Sequence, residues 1–160
     1  MGVAGSGKTT VGKLFAEKTG AVFYEGDDFH PPANIEKMRR GIPLTDDDRE
    51  PWLRALREKI VESVAKNELA AIACSALKAG YREQLQGGDP RVKFIYLTGS
   101  RDLIENRLQN RRGHFMPPTL LASQFDILEP PNDALVFDVK KTPEQIVDGV
   151  IHAAGLTTVV

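Results

Sequence analysis

Apolar positions along this chain fall into two rhythms, and the alternation between them defines its organisation. Val11, Leu14 and Phe15 recur at helical spacing and predict a helix from Thr9 to Thr19, stopped by Gly20. A short apolar run, Ala21 to Tyr24, predicts a strand. A short helix follows over Asn34 to Arg40, closed by Gly41 and the Pro43 turn. The clearest helix is opened by Asp48 and Pro51 and runs to about Lys66. Trp52, Leu53, Leu56, Ile60 and Val64 share one face of it, with Arg54, Arg57, Glu58 and Glu62 opposite. Leu69 to Cys74 and Val92 to Leu97 are nearly continuous apolar runs, the pattern of strands covered on both faces. Helices are then expected over Arg101 to Arg112 and Thr119 to Leu128, a strand over Ala134 to Val139, and a last helix over Pro143 to Ala153.

Strands that alternate with helices predict a three-layer α/β/α domain built on a parallel sheet. In such a sheet ligands gather beyond the carboxyl ends of the strands. Glu25, Asp27, Ser75, Thr98 and Ser100 therefore mark the side to search. The 160 residues suffice for one domain, 1–160, with no repeat or linker. A net charge of −1 gives no basis for binding nucleic acid or an anionic membrane surface. No apolar run approaches a membrane span. The single cysteine, Cys74, cannot form an internal disulfide, and a cytoplasmic setting is expected.

Gly2-Val-Ala-Gly-Ser-Gly-Lys-Thr9 matches G-x4-G-K-[ST] in full. Glycines at these places let successive N–H groups converge on phosphate oxygens, and the following helix adds the positive end of its dipole. The expected nucleotide contacts are Gly2, Gly5, Ser6, Gly7, Lys8, Thr9 and Thr10, with Lys8 at the β/γ-phosphates and the Thr9 hydroxyl on magnesium. The motif establishes triphosphate binding more firmly than what is done with it. It normally follows a buried strand, yet only Met1 precedes it. The expectation is that a first strand lies upstream of Met1; without it, neighbouring strands lose backbone partners.

Carboxylates gather at the next strand end, in Tyr24-Glu-Gly-Asp-Asp-Phe-His30. Phosphoryl transfer to an alcohol calls for a carboxylate that orients the hydroxyl and accepts its proton. Asp27 is assigned that task and Glu25, pointing the same way from an extended chain, is assigned to magnesium through water. The competing reading is an acidic turn with solvated charges. His30 is placed with the acceptor side, although taken alone it reads as a turn or packing residue. Arg49 either clamps a substrate carboxylate through parallel bonds or pairs with Asp46 to Asp48 at the helix start. No acidic residue ends the strand before Ser75, so a Walker-B aspartate is absent from that place. Arg107 to Met116 combines a basic helix end, a glycine and an aromatic loop, and predicts a lid over about residues 107–125. Arg107 and Arg111 would share a helix face and stabilise the transferring phosphoryl group, whereas Arg112 fits better as an ordinary basic helix end.

The blocks GVAGSGKTT, GDDFHPPANIEKMRRGIPLTDDDREPWL, ACSALKAGYR and RRGHFMPPTLLASQFDILEPP, in this order, resemble the gluconokinases of the shikimate-kinase-like P-loop group. The resemblance implies ATP-dependent phosphorylation of the 6-hydroxyl of D-gluconate to 6-phospho-D-gluconate, which feeds the pentose phosphate pathway, with ATP and Mg2+ required. It implies a five-stranded parallel sheet, a lid and a homodimer. Lys8, Thr9, Asp27 and Arg49 inherit family roles, as do Lys78, Tyr81 and Arg82 near the sugar acid and Arg107 and Arg111 in the lid. His114 and Gln124 match positions that would face the substrate. Glu25 stands where many relatives carry aspartate. The rival readings are a shikimate or nucleoside-type kinase of the same architecture, and a nucleotide-binding module without catalysis.

Overall fold

The computed structural model describes residues 1–110 and 118–159. Its elements run α1 (Lys8–Thr19), β1 (Val22–Glu25), a 3-10 turn (Gly26–Phe29), α2 (Pro32–Arg39), α3 (Asp46–Ala65), β2 (Ala70–Ala73), α4 (Ala79–Gln86), β3 (Ile95–Thr98), α5 (Arg101–Gln109), α6 (Pro118–Ile127), β4 (Leu135–Asp138) and α7 (Pro143–Ala154). Most expected elements are present, β3 starting at Ile95 instead of Val92, and three further differences stand out. The long helix starts at Asp46, because Thr45 forms a capping box with Asp48: each side chain accepts from the other's main-chain N–H. Pro51 is then a passenger within its second turn. Helix α5 ends at Gln109 with Asn110 as its cap, short of the expected Arg112. Helix α4 was not expected at all, although Tyr81 and Leu85 lie buried one turn apart and Gly87 closes it in a left-handed conformation.

All strand pairing is parallel. β1 pairs with β2, with Val22 opposite Ala70 and Glu25 opposite Ala73, and β3 pairs with β4, with Ile95 opposite Leu135 and Thr98 opposite Asp138. Where a fifth, central strand was expected, the described chain has Met1 and Gly2. The Met1 amino group donates to Ile95 O, and Leu97 N donates to Met1 O at 2.9 Å, the alternation of a parallel ladder. On the other side Gly2 N donates to Ser75 O at 3.1 Å. Two residues thus stitch the β2 end to β3, and the phosphate loop departs directly from that seam.

Apolar side chains pack in two clusters. Val3, Val11, Leu97, Ile104, Leu121, Val139, Ile146, Val147, Val150 and Ile151 join α1, α5, α6 and α7. Met1, Trp52, Leu53, Leu56, Cys74, Tyr81, Leu85 and Tyr96 join α3 and α4 to the strands. Trp52, Leu53 and Leu56 are the fully buried stripe that helical spacing indicated. Thr98 O accepts from Val139 N, and Ser100 caps α5 through Leu103 N, so both serve local structure at a strand end singled out for ligands.

The Thr45 capping box sets where α3 begins, and α3 carries Arg49 and Trp52. Thr45→Ala is expected to cost about 1 kcal/mol. Urea unfolding should show a lower midpoint at unchanged slope, with Thr45→Ser close to the parent.

Candidate active site

Gly7 adopts φ 94°, a left-handed conformation open to glycine, and caps α1 without a side-chain bond. The first N–H groups of α1 therefore point into the loop with no protein cap, the arrangement that receives a phosphate. Ser6 Oγ is buried without a hydrogen-bond partner among the described residues, an orphaned donor at the same place. Lys8 Nζ donates to Val3 O at 3.0 Å, which folds it back across the loop. A cleft of about 560 Å³ opens beside the loop, lined by Gly5, Ser6, Thr10, Arg107, Val139 and Pro143 among others. Arg107 reaches its wall and donates to Val139 O. Such a cleft has the size to hold a nucleoside.

The acceptor side is assembled around Trp52. Its indole Nε1 donates to Gly26 O at 2.8 Å, and its ring stacks on His30 with centroids 4.4 Å apart and planes 11° from parallel. Helix α3 thereby fixes both ends of the turn that carries Asp27. A Cβ on Gly26 would lie 2.3 Å from Ala73 O, so only glycine lets this turn pack against the end of β2. Because Gly26–Phe29 is a 3-10 turn, Glu25 and Asp27 are not related by the extended geometry first assumed for them. Glu25 ends β1 and accepts from the Thr9 hydroxyl at 2.7 Å. Asp27 is exposed at the turn. Burial pushes the Cys74 thiol up to about 11, and both the Lys8 ammonium and the Asp27 carboxylate act on it electrostatically.

His30 is buried, with Asn34 Nδ2 at 3.3 Å from its Nδ1. Asn34 also donates to Asp48 O at 2.6 Å and so ties α2 to α3. His30 is accordingly a support of the acceptor turn, the packing role weighed for it from sequence. Burial lowers its pKa from the ordinary 6.5, as does Arg49, while Asp27 acts in the opposite sense.

Arg49 forms one loose ion pair at the helix start, with Asp46. Asp48 is held by Lys37 at 2.6 Å and by Thr45, which bring its carboxyl down to about 2. Asp46 Oδ1 lies 3.9 Å from Arg49 Nη1, beyond a hydrogen bond. Arg49 Nη1 donates to Leu44 O and sits 3.5 Å from the Tyr81 hydroxyl. Lys78 and Tyr81 converge on the same place, at the start of α4. Arg82 is buried, and its Nη1 donates to Ala76 O and Leu77 O at 3.0 and 3.1 Å, bracing the turn where Ala76 takes a positive φ of 45°. Gln124, expected toward the substrate, directs Oε1 to Ala4 N at 2.7 Å and ties α6 to the phosphate loop. Arg111, Arg112 and His114 lie outside the described residues.

Among the described residues no group of three His, Cys, Asp or Glu is placed to hold a metal by itself. The Thr9–Glu25 pair instead offers a hydroxyl and a carboxylate beside the phosphate loop, a donor set that fits a magnesium ion shared with phosphate and water. Also among these residues, no helix is long and apolar enough to cross a membrane.

A phosphate loop between parallel strands, a nucleoside-sized cleft beside it and a carboxylate-bearing strand end joined to it through Thr9 and Glu25 define a P-loop kinase. The shikimate kinase family profile matches residues 4–152. The thermoresistant gluconokinase of Escherichia coli (strain K12) is 45% identical over 156 residues, covering 95% of this chain and 89% of that protein. A sugar kinase from Janibacter sp. HTCC2649, solved without ligand, superposes with a TM-score of 0.90 at 45% identity, covering 98% of this chain and 92% of that one. A gluconokinase structure from Sinorhizobium meliloti 1021 gives a TM-score of 0.86 at 43% identity, over 97% and 89% of the two chains. The chain belongs to the gluconokinase family, within the shikimate-kinase-like P-loop kinases.

The buried His30 yields a pH prediction. A histidine whose folded pKa is depressed contributes stability that is complete above its unfolded pKa, near 6.5, and is lost as pH falls through the folded value. Unfolding free energies of the parent and His30→Asn, measured between pH 8 and pH 5, should differ most at the alkaline end and converge toward pH 5.

Proposed function

We propose that this kinase transfers the γ-phosphoryl group of ATP to the 6-hydroxyl of D-gluconate, giving 6-phospho-D-gluconate and ADP. The observation that carries the reading is the likeness to gluconokinases along 95% of the chain, acceptor turn included. It agrees with the site, where cationic and phenolic donors stand beside the acceptor turn, as an acid bearing hydroxyl groups requires.

In this reading the main-chain N–H groups at the Gly7 end of the loop and the α1 N-terminus hold the triphosphate, with Thr10 at the margin, while the N–H groups of Gly2 and Ala4 stay on Ser75 O and Gln124 Oε1. Lys8 leaves Val3 O for the β/γ-phosphates. The nucleoside lies in the cleft against Arg107 and Pro143. Thr9, and Glu25 through water, would hold magnesium, whose charge neutralises the phosphate oxygens. Arg49, Lys78 and Tyr81 take the carboxylate end of gluconate, and Arg82 steadies that wall from behind. Asp27 accepts a hydrogen bond from the 6-hydroxyl and receives its proton as the oxygen bonds to Pγ. The bond from Pγ to the bridging β-phosphate oxygen breaks, and ADP departs with the electron pair. Arg111, in a lid over about residues 107–125, completes the charge stabilisation and excludes water, and His114 serves the sugar acid. A homodimer in the cytoplasm belongs to the same proposal.

Initial rates with ATP and a panel of gluconate, shikimate and nucleosides test the acceptor; turnover confined to shikimate or a nucleoside would overturn it. For the mechanism, Asp27→Asn should lower kcat by about 10²-fold or more, with ATP affinity within about twofold of the parent. An equal loss in both would remove Asp27 from the chemical step.

A further inference from the structure

Asp46 has no part in the scheme above, yet it makes the most concentrated set of polar contacts on the acceptor side. It opens α3, where a carboxylate is favourable to the helix dipole, but the cap itself is made by Thr45 and Asp48. Its own carboxylate turns across to α4. Lys78 Nζ lies 2.8 Å from Oδ1 and 2.8 Å from Oδ2, and the Tyr81 hydroxyl donates to Oδ1. Lys78 and Arg49 flank the Tyr81 ring, at 5.5 and 5.8 Å from its centroid. Exposure grades outward: the Arg49 side chain is 14% exposed, Lys78 28% and Asp46 62%. The carboxylate therefore sits as the outer cover of a recess walled by two cations and a phenol.

Those groups carry two positive charges against one negative, so the recess can still attract an anion. Arg49 in particular makes its hydrogen bonds and its ion pair with described residues through Nη1 alone, and a guanidinium has five N–H donors. A second carboxylate entering this recess would meet Asp46 at close range, and two carboxylates sharing one set of donors repel. An ion pair as open to solvent as Asp46–Lys78 is weak and can be exchanged. We propose that Asp46 is an internal occupant of the acceptor carboxylate subsite: it holds Lys78 and Tyr81 in the empty enzyme and is displaced by the carboxylate of the sugar acid. It thereby sets how tightly any carboxylate is held at this place. A simple carboxylate offers nothing beyond the charge it exchanges, whereas a sugar acid also brings hydroxyl groups to the Asp27 turn. The inference rests on the functional reading above, since it assigns the recess to the acceptor's carboxylate.

The test compares the parent with Asp46→Asn, which keeps size and removes charge. The KM for gluconate should fall about threefold to fivefold, the range expected when a solvent-open ion pair no longer competes, while the KM for ATP stays put. Acetate, used as a competitive inhibitor against gluconate, should bind more tightly by a similar factor. Asp46→Ser, which retains a residue suited to a helix start, guards against a folding defect and should move gluconate KM in the same direction. A gluconate KM that is unchanged or rises in both variants would overturn the proposal. If the parent itself fails to phosphorylate gluconate, the functional reading falls and this inference with it; turnover by the parent with a rising KM in the variants removes the inference alone.

Discussion

The main-chain seam at Met1 and Gly2 is the constraint on which the site depends. These residues bond to Ile95 and Leu97 on one side and to Ser75 on the other, between two strand pairs that are otherwise held together through their helices. The phosphate loop begins at Gly2, so its place relative to the ends of β2 and β3 is set by these few bonds. Met1 and Gly2 are themselves buried, so an unmade backbone hydrogen bond there would leave a desolvated polar group. From this seam the loop, the N-terminus of α1 and the Thr9–Glu25 contact are positioned in turn.

A second anchor places the acceptor side. Trp52 combines a hydrogen bond to Gly26 O with a stack on His30, and it is almost wholly buried. One side chain thus couples the turn carrying Asp27 to the helix carrying Arg49. The division of labour is physical: rigid apolar packing fixes where the polar groups stand, and the exposed Asp27 and Asp46 and the half-buried Lys78 remain able to exchange partners. A kinase needs both properties, because the acceptor must be held in line with the phosphoryl group and then released.

Much of this was legible in the residues. The phosphate loop, the buried stripe of α3 and the order of strands and helices follow from local spacing, which short-range sterics and burial dictate. The 3-10 turn at Gly26–Phe29 was not legible, because it exists through Trp52 and the close approach to Ala73, both distant in sequence. Helix α4 is hard to read from sequence because its polar residues, Lys78, Tyr81 and Arg82, also suit a ligand site, although Tyr81, Leu85 and Gly87 carry a helical signal. The tie from Gln124 to Ala4 and the bond from Asp46 to Lys78 span 120 and 32 positions, and no local pattern encodes such pairs. Arg82 shows the converse: a basic residue in a family block, placed by the structure on backbone carbonyls.

In the proposed reaction the phosphate loop and the acceptor cluster serve a single transfer, with gluconate held by its carboxylate at Arg49 and its far hydroxyl at Asp27. Phosphorus and carbon NMR of the product formed from ATP and uniformly carbon-labelled gluconate tests this directly. The account predicts one phosphomonoester, with phosphorus coupling to C6 and C5 alone. Phosphate on another hydroxyl or on the carboxylate, or ATP hydrolysis with gluconate left unmodified, would contradict it.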